Sequence, residues 1–98
     1  MAKKPLHPGF FVADYLDEYG LRPADLAGAI GVSRSVVSDL IHGRRALSTE
    51  MAVRLGAFFG GGARLWLAIQ QDYELDKLGT RKQQIEKAVR PVAELVPA

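Results

Sequence analysis

The chain has 98 residues, room for one domain and not for two. Its hydrophobic share of 48% and charged share of 24% are those of a soluble globular protein. There are no cysteines, which excludes disulfides and thiolate metal sites and fits a reducing cytoplasm, and a net charge of +2 permits a nucleic-acid partner without requiring one.

Residues 1–8 are short, basic and broken by Pro5 and Pro8, and are expected to form a flexible arm. Two lysines stand there, but no long apolar stretch follows, so neither a secretory leader nor a membrane span is expected. A first helix is predicted from about Gly9 to Tyr19. Val12, Tyr15, Leu16 and Tyr19 recur at helical spacing, with Asp14, Asp17 and Glu18 opposite. Gly20 stops it. Pro23 suits the first turn of a second, short helix, where a missing N–H is no loss. Leu26, Ala27 and Ile30 are its inward residues.

Gly31-Val32-Ser33 is a tight turn, with Gly31 suited to positive φ and Ser33 to capping a third helix that runs to about His42. Gly43 ends that helix and a loop, Arg44 to Leu47, follows. Ser48 caps a fourth helix whose buried stripe is Ala52, Leu55, Phe58 and Phe59. Gly60-Gly61-Gly62 breaks the chain. A fifth helix is predicted from about Ala63 to Leu78, and Gly79 ends it. The tail, residues 79–98, reads as a short helix followed by an edge strand or extended arm at VRPVAELV. The fold class is therefore all-α: five helices spanning residues 9–78, with a short C-terminal helix or extended arm after them.

The third helix holds the most informative pattern. At 100° per residue, Arg34, Ser35, Ser38 and His42 share one arc, and Val37, Leu40 and Ile41 share another on the other side. The polar arc has no lysine or glutamate, the usual filling of a solvated face. Short hydroxyl side chains let a helix come close to DNA. Arginine grips guanine O6 and N7 with two bonds. The helix N-terminus and the following Arg44 and Arg45 suit phosphates. A short helix, a tight turn and such a helix make a helix-turn-helix.

RPADLAGAIGVSRSVVSDLIHGRR resembles the lambda-repressor-like (XRE, Cro/C1-type) helix-turn-helix, through Leu26-Ala27, Ile30-Gly31-Val32, Val37, Leu40-Ile41 and Gly43-Arg44-Arg45. Three flanking motifs narrow the resemblance: His7-Pro8-Gly9 before the first helix, LSTEMAVRLGAFFG at 47–60, and LWLAIQQDYEL at 65–75. Their order and spacing resemble the HigA/VapI antitoxins over about Leu6 to Leu75. That resemblance implies an antitoxin that neutralises a partner toxin, commonly a RelE-like messenger-RNA endonuclease. It also implies a dimer that represses its own operon at a palindromic operator. Departures stand beside it. Arg22-Pro23 replaces the family's Ser-Gln, leaving Arg22 to reach a phosphate. Gly61 to Leu65 make a weak helix start. Phe10 and Phe11 are unusual after His-Pro-Gly; one is expected in the core and one exposed.

The expected DNA-binding residues are Arg22, Ser33, Arg34, Ser35, Ser38, His42, Arg44 and Arg45. Arg34 and Ser35 are expected to read bases. Leu65, Trp66, Ile69 and Tyr73 offer more apolar surface than one small core needs, and are expected to form a dimer interface with the tail. Partners are therefore double-stranded operator DNA, a cognate toxin and a second copy of the chain. No metal or other cofactor is expected: His7 and His42 stand isolated, and the three glycines lack the Gly-Lys-Ser/Thr of a phosphate loop. An enzyme is not expected, since Ser33, Ser35 and Ser38 have no base partner. The rival readings are a stand-alone regulator without a toxin, and a protein-interaction module that never binds DNA.

Overall fold

The structure, a computed structural model, describes residues 4–97. Those residues form seven helices and no strand: α1 (Pro8–Tyr19), α2 (Pro23–Ile30), α3 (Arg34–Ile41), α4 (Thr49–Phe59), α5 (Gly62–Leu78), α6 (Thr80–Ala88) and α7 (Val92–Leu95). The all-helical expectation holds. None of these helices is long and apolar enough to cross a membrane.

Local chemistry sets most boundaries. Gly20 and Gly31 end α1 and α2 in the left-handed region, at φ 66° and 74°. Ser33 and Ser48 cap α3 and α4, each hydroxyl accepting a backbone N–H three residues on, at 3.2 and 3.1 Å. The chain enters α1 at Pro8, one residue before the predicted start. Pro8 is buried, so this end of the expected loose arm is tied down. Residues 1–3 lie outside the described residues.

The core joins α1 to α5. Val12 and Leu16 from α1 meet Leu26, Ala27 and Ile30 from α2, and Val37 and Leu40 from α3. Met51, Ala52 and Leu55 from α4 close the cluster, with Leu47 from the loop before it. Each large side chain buried this way contributes roughly 1.5–3 kcal/mol. Trp66 of α5 is only 1% exposed and belongs to this core. Phe11 packs against it, while Phe10 is 54% exposed, the split expected of that pair. Phe58 and Phe59 are half-buried at its edge rather than inside it, and Tyr19 is 65% exposed.

Two glycines set how closely the helices approach. A methyl at Gly9 would run into the carbonyl oxygen of Leu40, so α1 crosses the end of α3 backbone to backbone. A methyl at Gly56 would sit 2.5 Å from the Gly62 carbonyl carbon, so α4 and the start of α5 meet in the same way.

The tail takes the helical form, and only the edge-strand or extended reading of VRPVAELV departs from it. Val92–Leu95 is a single helical turn, not an extended arm. Its amides bond locally, Glu94 N–H to Pro91 and Val96 N–H to Val92, and no neighbouring strand among the described residues offers a ladder. Neither α6 nor α7 buries a residue. The radius of gyration is 17.7 Å, against about 13 Å for a compact chain of this length. The tail therefore stands away from the core.

Gly9→Ala should destabilise the domain by roughly 1–3 kcal/mol in urea unfolding, because the added methyl has no space. Gly28→Ala, in open space on α2, should instead stabilise it by about 0.5–1 kcal/mol.

Candidate nucleic-acid interface

The candidate interface is built on α2, the Gly31 turn and α3. Arg54 of α4 braces that turn: its guanidinium donates to the Ile30 carbonyl at the end of α2 and, at 3.0 Å, to Glu50. A last-turn carbonyl that has no intrahelical partner is thereby satisfied. The inner face of α3 is held by Val37 and Leu40 in the core, with Val36 and Ile41 packed beside it.

The opposite face is open. Ser33, Arg34, Ser35 and His42 are exposed, and Ser38 is half-buried. Ser33 uses its hydroxyl oxygen as the helix cap, which leaves the hydroxyl proton to donate outward. His42 donates from Nδ1 to the Ser38 carbonyl at 2.8 Å, which makes Nε2 an acceptor in the neutral ring. Arg44 and Arg45 follow, half or more exposed, and both turn back to Asp39 on α3. Arg44 Nε lies 3.3 Å and Arg45 Nη2 4.0 Å from that carboxylate. Asp39 thus limits how far the two cations roam. Such an exposed pair contributes little to stability.

Arg22 stands apart, at the start of α2. Its backbone N–H donates to Asp25 at 2.8 Å, and its guanidinium lies 3.5 Å from the same carboxylate. The backbone bond first, then the guanidinium, holds the Asp25 carboxyl below its ordinary value of 3.8.

Four contacts that place this surface were not assigned from the sequence. His7 accepts the Gly9 N–H at Nδ1 (2.9 Å) and so caps α1; Nε2 then carries the proton and donates to the Arg45 carbonyl at 2.9 Å. Its ring sits edge-on to Tyr73 of α5, centroids 5.1 Å apart. Gly9 permits the close crossing described above. Arg54 is the third. Buried Gln70 is the fourth: Oε1 accepts the Leu47 N–H at 2.8 Å, and Nε2 donates to Glu74 at 2.7 Å. His7 and Gln70 therefore hold the two ends of the Arg44–Leu47 loop. His-Pro-Gly and a glutamine on the inner stripe of α5 were the visible signals.

The four residues expected at a dimer interface differ in exposure. Trp66 is core and presents nothing to a partner. Ile69 packs against the core, and Tyr73 is half-buried beside His7. Of the four only Leu65 is largely exposed. The inner stripe of α5 is simply used by its own domain. The outward apolar residues of α5 include Leu75 and Leu78, which line a groove of about 470 Å³ with Gln70, Gln71 and Glu74. Among the described residues, no three His, Cys, Asp or Glu side chains gather as a metal site.

Known proteins share this frame. A helix-turn-helix family model matches residues 12–66. The chain is 37% identical over 78 residues to virulence-associated protein A' of Dichelobacter nodosus, covering 79% of this chain and 68% of that one. It is 33% identical over 91 residues to antitoxin HigA-1 of Vibrio cholerae, covering 92% and 86%. The solved antitoxin HigA of Pseudomonas aeruginosa with the higBA promoter superposes at TM-score 0.80 and 36% identity, over 89% of this chain and 97% of that one.

His7→Ala should lower stability in urea by roughly 1–3 kcal/mol, losing both a helix cap and the bond to Arg45. His7→Asn keeps a capping side chain but cannot reach Arg45. It should restore much of that stability while amide exchange in the Arg44–Ala46 segment stays fast.

Proposed function

Since the chain belongs to the HigA/VapI-type antitoxins of the XRE helix-turn-helix family, we propose that it binds operator DNA as a dimer, represses its own operon and neutralises a toxin of the RelE-like messenger-RNA endonuclease class in the cytoplasm. The observation that carries the DNA half is the outer face of α3. It is exposed, short-chained and followed at once by two arginines on a braced loop.

In this reading Arg34 and Ser35, on the first turn of α3, reach base edges in the major groove. Ser33, Ser38, Arg44, Arg45 and Arg22 hold phosphates and set the register. His42, with an acceptor at Nε2 in the neutral ring, suits a base amino group; protonated, it suits a phosphate. A dimer places its two α3 helices roughly 34 Å apart, in successive major grooves. The support for a dimer lies in the tail. Ile85, Val89, Val92 and Leu95 are exposed and find no cover among the described residues, and the Leu75–Leu78 groove lies close by in sequence. Apolar surface of that kind is covered in stable proteins by a second chain.

Arg34→Ala should cost roughly 1–3 kcal/mol on the chain's own promoter and little on random DNA, read by gel retardation. Equal losses on both would make Arg34 a phosphate clamp. Arg45→Ala should weaken all DNA and flatten the salt slope by about one unit. Leu78→Asp with Ile85→Asp should give a monomer in sedimentation and lose operator binding. An unchanged sedimentation coefficient would remove the tail from the interface.

A further inference from the structure

One surface is left over by the DNA face and the tail. α1 carries Asp14, Asp17 and Glu18, all exposed, and no basic residue. At 100° per residue the three fall within an arc of about 100° on the side away from Val12 and Leu16. Tyr15 stands next to that arc and Tyr19 lies a further ~40° round toward Val12, both at the edge that meets α4 and α5. Their ring centroids lie 5.3 and 6.5 Å from Phe59, and Phe59 lies 5.7 Å from Trp66. Tyr15, Tyr19, Phe59, Gly60, Leu65 and Trp66 surround a cleft of about 150 Å³.

Each property narrows the occupant. The cleft holds one side chain and is well below the roughly 300–1,000 Å³ of a small-molecule site. Three carboxylates repel a phosphate backbone, which excludes nucleic acid. Aromatic rings beside carboxylates attract an ammonium or guanidinium group: the ring faces contribute their quadrupole and the carboxylates their charge. Tyr19, largely exposed, adds a broad apolar contact that the monomer does not use. Aromatic residues of this kind anchor protein interfaces.

We propose that the acidic and aromatic edge of α1, with the cleft beside Phe59 and Trp66, docks a basic protein through an arginine or lysine side chain. The proposal deepens the antitoxin reading, on which the choice of a protein partner rests, by giving that partner a surface distinct from the outer face of α3. The same face leaves the chain able to hold DNA and a protein together.

The test uses the full chain and defined probes. Short amphipathic peptides bearing arginine on one face, and their lysine and glutamate counterparts, are titrated while the fluorescence of Trp66, the only tryptophan, and the ring signals of Tyr15, Tyr19 and Phe59 are followed. The arginine and lysine peptides should bind saturably at those rings, and the glutamate peptide should not. Tyr19→Ala with Glu18→Gln should weaken binding by about tenfold and leave operator retardation unchanged, which also reports that the variant is folded. Asp14→Asn, a gentler change, should weaken binding in the same direction. The proposal is overturned if the glutamate peptide binds as well, if the shifted signals lie on α3 or α6, or if the variants alter self-association instead, which would make the face a contact between copies. A wild-type chain that binds the cationic peptides but fails to retard its operator would sink the DNA reading alone.

Discussion

The contact on which the rest depends is the crossing of α1 over the end of α3. It is a backbone contact, made possible by the missing side chain of Gly9, and His7 and Pro8 fix the chain beside it. His7 satisfies two backbone groups from distant parts of the chain, the Gly9 amide and the Arg45 carbonyl. Two ordinary hydrogen bonds of that kind contribute about 1 kcal/mol each. Their larger effect is geometric. They carry the rigidity of the core out to a loop whose arginines face solvent.

The outer face of α3 is thus prepared from behind. Arg54 holds the turn before it, His7 and Gln70 hold the loop after it, and Asp39 keeps Arg44 and Arg45 close to the helix. None of these four groups sits in the short-chained arc itself. The arc pairs the short Ser35 and Ser38 side chains with the longer Arg34 and His42. Positioning falls to residues behind the surface, so under the proposed reading a substitution there alters DNA binding without touching DNA.

Local signals made most of the fold legible. Serine caps, glycine stops and a proline at the first turn are short-range chemistry, and Ser33, Ser48, Gly20, Gly31 and Pro23 stand where that chemistry requires them. The two arcs of α3 were legible for the same reason. What depended on distant neighbours was not. Spacing shows that Trp66, Ile69 and Tyr73 share a face of α5, but not whether that face meets its own chain or another. Trp66 packs into the core of its own chain, which the spacing alone did not show. His7 looked isolated because its partners lie in α1's first turn and 38 residues away. The tail misled through alternation: VRPVAELV has the pattern of a strand and no strand to pair with, so its amides close a helical turn instead.

The same corner has a consequence for how the molecule forms. The bond from His7 to Arg45 closes a span of 38 residues, and bringing such distant points together opposes folding by on the order of 3 kcal/mol of chain entropy. α2, α3 and α4 are joined by short links and meet at far smaller separation. On loop-closure grounds α2, α3 and α4 are expected to associate before α1 seats. Changes at Gly9 and His7 are then expected to act more on the rate of unfolding than on the rate of folding. By the same cost the first helix in the chain is expected to lock last, and the His7 bond that ties down the loop bearing Arg44 and Arg45 forms with it.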